Sequence, residues 1–198
     1  MKIYKIFVLL ALLPFHLFSQ ETQVIETGKA LPDAELRKAD GSKATLHSLH
    51  QEMPTVLVFY RGGWCPYCNR HLAALGEVED KLREAGYQII AVSPDKPEKI
   101  QESLEKHDFN YQLVSDSHMN AAKAMGLAFT VDEATFERLQ GFGIDIEADS
   151  GTTHHMLPVP AVFLIDADGI IQFVHADPDY KKRLSNENLL KAAGLRKE

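Results

Sequence analysis

Two short runs leave this chain few ways to fold. Thr55–Tyr60 (TVLVFY) and Tyr87–Val92 (YQIIAV) are nearly continuous stretches of β-branched, aliphatic and aromatic residues, the pattern of strands covered on both faces. Between them Leu72, Leu75, Val78 and Leu82 recur three and four residues apart, and the run stops at Gly86. That spacing predicts one amphipathic helix with a glycine stop. Strand, helix and strand of this kind pair in parallel through a right-handed crossover. Upstream, the turn at Asp40-Gly41 predicts an edge hairpin. Downstream, a charged surface helix over Pro97–His107 starts at Asp95, Lys96 and Pro97, a short strand covers Tyr111–Ser115, and a helix covers Asn120–Met125. Ala161–Asp166 and Ile170–His175 form the clearest hairpin, turned at Ala167-Asp168-Gly169, and a last helix starts at Ser185 with Leu189, Leu190 and Ala193 inward. Residues 129–157 hold one predicted helix, Asp132–Leu139, and otherwise read as a long polar loop. The order is βαβα, an insertion, then ββα: one three-layer α/β domain whose sheet has an antiparallel edge.

A chain of 198 residues, 45% hydrophobic and 25% charged, is long enough for one core without staples, and its make-up excludes collagen, a disordered tail and a disulfide-rich miniprotein. The net charge of -7 disfavours non-specific attraction to nucleic acid or anionic lipid. Residues 1–20 place Lys2 and Lys5 ahead of an apolar run, Ile6 to Leu13, followed by Pro14 and Ser19. This is the layout of a secretory signal peptide over residues 1–19, with the domain in 20–198. The run is shorter than the ~20 apolar residues of a spanning helix. The expectation is an exported protein, periplasmic or extracellular, with no stable membrane insertion after cleavage, in a compartment that permits disulfides.

The chain holds only two cysteines, Cys65 and Cys68, in FYRGGWCPYCNRHL, where a buried strand gives way to a helix. Unpaired N–H groups and the dipole at a helix start stabilise a thiolate. Gly62 and Gly63 loosen the approach and Pro66 suits the first helical turn, so the first cysteine lies at the helix edge and the pair is able to close as a reversible disulfide. Other readings compete. A structural staple closing so short a loop contributes only ~2 kcal/mol. A metal site needs Cys65, Cys68 and His71 with His154 or His155 as a fourth ligand, and no second cysteine pair supports it. Haem attachment needs a histidine where Asn69 stands. Further on, Val159-Pro160 directly precedes a buried strand, where a proline belongs at a strand start or in a cis turn.

With the CxxC at a helix start and the VPAVFLIDADG hairpin in place, the chain resembles the thioredoxin-like superfamily over about residues 25–195, a three-layer α/β/α fold with a mixed central sheet. Within it, FYRGGWCPYC is similar to the peroxiredoxin branch, that of alkyl hydroperoxide reductase and thiol-specific antioxidant proteins. The resemblance puts Cys68 on the peroxidatic cysteine, Cys65 on the motif threonine, Arg61 on the motif proline and Pro160 on the usual arginine position. Arg61, or the more distant Arg183, then stands in for the missing positive charge. From the thioredoxins, it implies a cis Pro160 that faces the CxxC and guides substrate, with Val159 and Trp64 beside it.

Two functions follow from the resemblance. As a thiol peroxidase, Cys68 attacks hydrogen peroxide or an organic hydroperoxide, Cys65 resolves the sulfenic acid, and a thioredoxin-type dithiol recycles the pair. As an exported thiol-disulfide oxidoreductase, Cys65 attacks protein disulfides and Cys68 resolves. A non-catalytic binding module with an inert pair is the third reading. His154 and His155 stand in the polar loop before Pro160 and either approach the thiols or are solvated, and His71, one turn after Cys68, either tunes it or faces solvent. No cofactor and no resident metal are expected.

Overall fold

The computed structural model describes residues 23–107 and 109–195; the expected leader at 1–19 lies outside them. The edge hairpin is β1 (Glu35–Lys38) and β2 (Lys43–Thr45), followed by α1 (Leu46–His50). The crossover unit is β3 (Thr55–Phe59), α2 (Pro66–Gly76), α3 (Glu79–Glu84) and β4 (Gln88–Ser93). Then come α4 (Pro97–Lys106), β5 (Gln112–Ser115) and α5 (Asn120–Ala124). The insertion holds β6 (Ala128–Thr130), α6 (Glu133–Gly141), α7 (Ile146–Ser150) and β7 (Met156–Pro158). The chain closes with β8 (Ala161–Ile165), β9 (Ile171–Ala176) and α8 (Asn186–Ala192).

One sheet runs in the order β2-β1-β5-β4-β3-β8-β9. The β3, β4 and β5 pairings are parallel, and those on either side are antiparallel. This is the mixed sheet of the thioredoxin-like fold. β3 is buried along its whole length because alternate side chains enter two different cores. Val56, Val58 and Tyr60 pack with Leu72 and Leu75 of α2, whereas Leu57 and Phe59 pack with Leu46 and Leu49 of α1 and with Met119 and Met125. Among the described residues no helix is long and apolar enough to cross a membrane.

The structure departs from the sequence reading in two places. The helix predicted through Leu82 is two helices, interrupted at Glu77 and Val78; Val78 and Leu82 stay buried with Leu72 and Leu75, so the apolar periodicity survives the break. The long loop is a small structured lobe. β6 and β7 pair antiparallel, and Asp145 caps α7 by accepting from Glu147 and Ala148 N–H at 3.1 and 2.9 Å. Val131, Phe136, Leu139, Ile146 and Leu157 form a core of their own inside the lobe.

Candidate active site

The site is built where β3 hands over to α2. Cys65 is the N-cap of α2 with extended backbone, and Pro66 takes the first helical position, where a missing N–H costs nothing. The loop before it is pinned from two sides: Asn69 Nδ2 donates to Gly63 O at 2.8 Å, and Gly63 N–H donates to Asp95 Oδ2 at 2.8 Å. Gly62 sits at φ 140°, and a Cβ there would strike Trp64 Nε1 and lie 2.8 Å from Asp95 Oδ1. Only glycine fits that turn.

Both cysteines are thiols and both are buried, yet their surroundings are opposite. Cys65 is held down to about 6, chiefly because the Cys68 thiol hydrogen-bonds its sulfur; the Cys68 backbone N–H and the charges of Arg61 and Arg183 add to this against the opposing effect of burial. Cys68 is pushed well above the usual thiol range by burial, by donating to Cys65 and by the negative charge that develops there. The two titrate as a coupled pair in which the surroundings favour the thiolate on Cys65. Cys65 lies at the floor of an open groove of about 360 Å³, while Cys68 sits behind it in the core with Leu72 and Leu75.

The two guanidinium groups make different contacts. The Arg61 guanidinium lies between the Trp64 and Tyr180 rings, 5.0 and 4.4 Å from their centres, on the groove side with Cys65. The Arg183 Nη2 instead donates to Cys68 Sγ at 3.5 Å. The groove wall comes from distant parts of the chain and is largely apolar, with Trp64, Phe129 and Phe142 of the insertion, Pro160, Pro178 and Tyr180, while Asp132, Thr135 and Arg138 also line it. Phe129, Phe142 and Tyr180 are 37%, 76% and 36% exposed. Large apolar side chains left in water and gathered around one reactive atom mark a binding surface.

Of the residues expected from sequence, Cys65, Cys68, Arg61, Trp64 and Pro160 come together. Val159 does not. It packs in the core on the opposite face of the sheet with Leu57 and Phe163, because neighbours on an extended chain point to opposite sides. Pro160 reaches the groove without the expected cis bond, since the described residues contain no cis peptide. β7 runs straight into β8 there, with Val159 N–H on Leu127 O at 2.8 Å. His154 and His155 are engaged in the insertion: His154 Nε2 meets Ser117 O at 2.9 Å, and His155 Nε2 meets Glu147 Oε1 at 2.7 Å while stacking on Phe136. Among the described residues no cluster of His, Cys, Asp or Glu is placed to hold a metal ion. His71 is buried on α2 and pushed down to about 4 by burial, then by the charge of Arg183 and by His175; it is neutral at ordinary pH. The sequence reading missed Asp95 as the anchor of the loop, and Phe129, Phe142, Pro178 and Tyr180 as groove wall.

Comparison with known proteins gives a consistent picture. Residues 27–174 match the model of the AhpC/TSA family. The chain is 29% identical over 153 residues to peroxiredoxin Bcp of Escherichia coli strain K12, covering 77% of this chain and 86% of that one. It is 24% identical over 151 residues to the chloroplastic peroxiredoxin Q of Oryza sativa subsp. japonica, covering 76% and 59%. Among solved structures, reduced Prx3 of Vibrio vulnificus in complex with hydrogen peroxide superposes with a TM-score of 0.69 at 20% identity, over 87% of this chain and 99% of that one. Peroxidoxin BcpB of Mycobacterium tuberculosis does so with 0.66, at 20% identity and the same coverage.

Proposed function

The chain belongs to the AhpC/TSA family, and on that premise we propose that it is a thiol peroxidase in which Cys65, rather than the motif-aligned Cys68, attacks the hydroperoxide. The observation that carries this is access: the helix-capping Cys65 lies at the floor of the groove, whereas Cys68 is packed behind it with Leu72 and Leu75, and the lowering of Cys65 against the raising of Cys68 acts in the same direction. The Cys65 thiolate attacks the terminal peroxide oxygen. The O–O bond breaks, an alcohol or water leaves after taking a proton, and Cys65 becomes a sulfenic acid. Cys68 then attacks that sulfur, expelling water and closing the Cys65–Cys68 disulfide. The pair has given up two electrons, which a thioredoxin-type dithiol returns. Arg61, beside the groove, supplies the positive charge that favours a developing oxyanion. A ligand-sized groove with aromatic walls favours hydroperoxides that carry an organic group over hydrogen peroxide alone. The reaction runs in an exported chain, a reading supported by the pattern of residues 1–19.

Stopped-flow peroxide reduction by the two single variants tests the assignment. Cys68→Ser is expected to keep a rapid single turnover and to leave a dimedone-reactive sulfenic acid on Cys65, whereas Cys65→Ser loses the fast phase by about a hundredfold or more. The opposite pattern returns the attack to Cys68. If neither variant nor the parent chain outpaces a free thiol toward peroxide, exchange with protein disulfides replaces peroxidase chemistry.

A further inference from the structure

Arg183 is delivered to the site by the segment that follows the sheet. After β9 the chain turns at Asp177–Lys182, with Asp179 N–H on Asp177 Oδ1 at 2.8 Å and Lys182 N–H on Asp179 O at 2.9 Å. It is then clamped to α2 by Asn186 Nδ2, which donates to Ala74 O at 2.6 Å. Arg183 lies between that turn and that clamp. Its Nη1 donates to Lys182 O at 3.2 Å and its Nη2 to Cys68 Sγ at 3.5 Å. The titratable groups around it come from every element packed there: Cys65 and Cys68 at the start of α2, His71 one turn further along α2, His175 on β9, and Asp177, whose carboxylate pairs with Lys182 at 3.6 Å. Both histidines carry a buried Nε2 without a partner, and burial favours their neutral forms.

We propose that Arg183 serves the two steps in which Cys68 bears the charge. In the first, Cys68 loses its proton and attacks the Cys65 sulfenic acid; the S–S bond forms, the S–O bond breaks, and the departing hydroxide takes a proton as water. In the second, a reducing thiolate attacks Cys65, the S–S bond breaks, and Cys68 leaves with the electron pair, facing the guanidinium. A leaving thiolate departs faster when its charge is stabilised, and a fully buried sulfur has no water to do this. Arg61 does not fill the role, because its guanidinium is turned into the groove. The first step rests on the peroxidase reading above; the second does not.

The test uses Arg183→Met and Arg183→Lys in the full chain, with near-UV circular dichroism to confirm packing. The disulfide is formed with diamide, independently of peroxide, and opened with dithiothreitol. The Met variant is expected to open about tenfold or more slowly, and the Cys68 thiolate, titrated by ultraviolet absorbance in a Cys65→Ser background, to move up by about one pH unit or more. After peroxide, the same variant resolves slowly and accumulates sulfinic acid on Cys65. Lys is expected to restore part of both effects. A folded Met variant that opens at the parental rate with an unshifted titration overturns the proposal, as does a Lys variant no better than Met, which points to packing alone. Should the Met variant not fold, Arg183→Gln takes its place: a folded Gln variant with a parental opening rate and an unshifted titration would overturn the proposal. Failure to form any sulfenic acid with peroxide counts against the peroxidase reading and leaves the diamide arm to judge Arg183.

Discussion

Two identical side chains three positions apart differ here because one caps a helix and the other faces a core. Cys65 has the Cys68 N–H, a neighbouring thiol and open groove on its side; Cys68 is packed among leucines, with the Arg61 N–H and the Arg183 guanidinium as its polar partners. A further residue holds this geometry in place at a cost. Asp95 is 2% exposed and binds the Gly63 N–H, and burial raises its pKa from 3.8 to about 7, although hydrogen bonds from Gly63 and Ser93 act the other way. Because the folded pKa lies above the unfolded one, the folded chain binds this proton more readily. The stability that Asp95 contributes is therefore full below about pH 4 and is lost as pH rises toward 7. Asp95→Asn stays neutral throughout. Its melting temperature relative to the parent is expected to climb between pH 4 and 7 and level off above, a swing on the order of a few kcal/mol. Thermal unfolding from pH 4 to 9 checks this, and a constant difference across the range would show that the carboxyl titrates normally.

At the scale of elements, the insertion is the part whose purpose the groove explains. α6 and α7 with the β6–β7 ribbon enclose a small core, which gives the lobe enough stability to hold Phe129 and Phe142 out over Cys65. Phe142 follows α6 and is 76% exposed, so its removal costs the fold little, within about 0.5 kcal/mol. Phe142→Ser is expected to lower the preference for an aromatic hydroperoxide over hydrogen peroxide, read as the ratio of kcat/KM values, by about threefold to tenfold, the worth of about 1 kcal/mol of apolar contact. Equal loss toward both substrates would mean that the ring supports the site and does not select the peroxide. From sequence this lobe reads as one helix and a polar loop. Its strands have three residues each and α7 has five, too short for periodicity to register, and they are held by contacts within the lobe.

For the molecule as a whole, the proposed export makes a simple prediction: cell fractionation and N-terminal sequencing should find the mature protein outside the cytoplasm, beginning near residue 20, and an intact cytoplasmic chain would refute it. The central fold was legible because strands buried on both faces announce themselves locally. TVLVFY, YQIIAV and AVFLID each became a sheet strand, and the capping residues at Cys65-Pro66 and Ser185 marked helix starts. The CxxC at a helix terminus was legible for the same reason, since both cysteines, the proline and the helix lie within a dozen residues. By itself, then, the sequence determined the three-layer architecture and the identity of the reacting pair. Only the tertiary structure decided which sulfur lines the groove, that the Arg183 guanidinium meets Cys68, and that Pro160 lines the groove while Val159 turns away. Those depend on desolvation and on contacts such as Arg183 with Cys68, made by residues far apart in the chain, and no local pattern encodes where such residues meet.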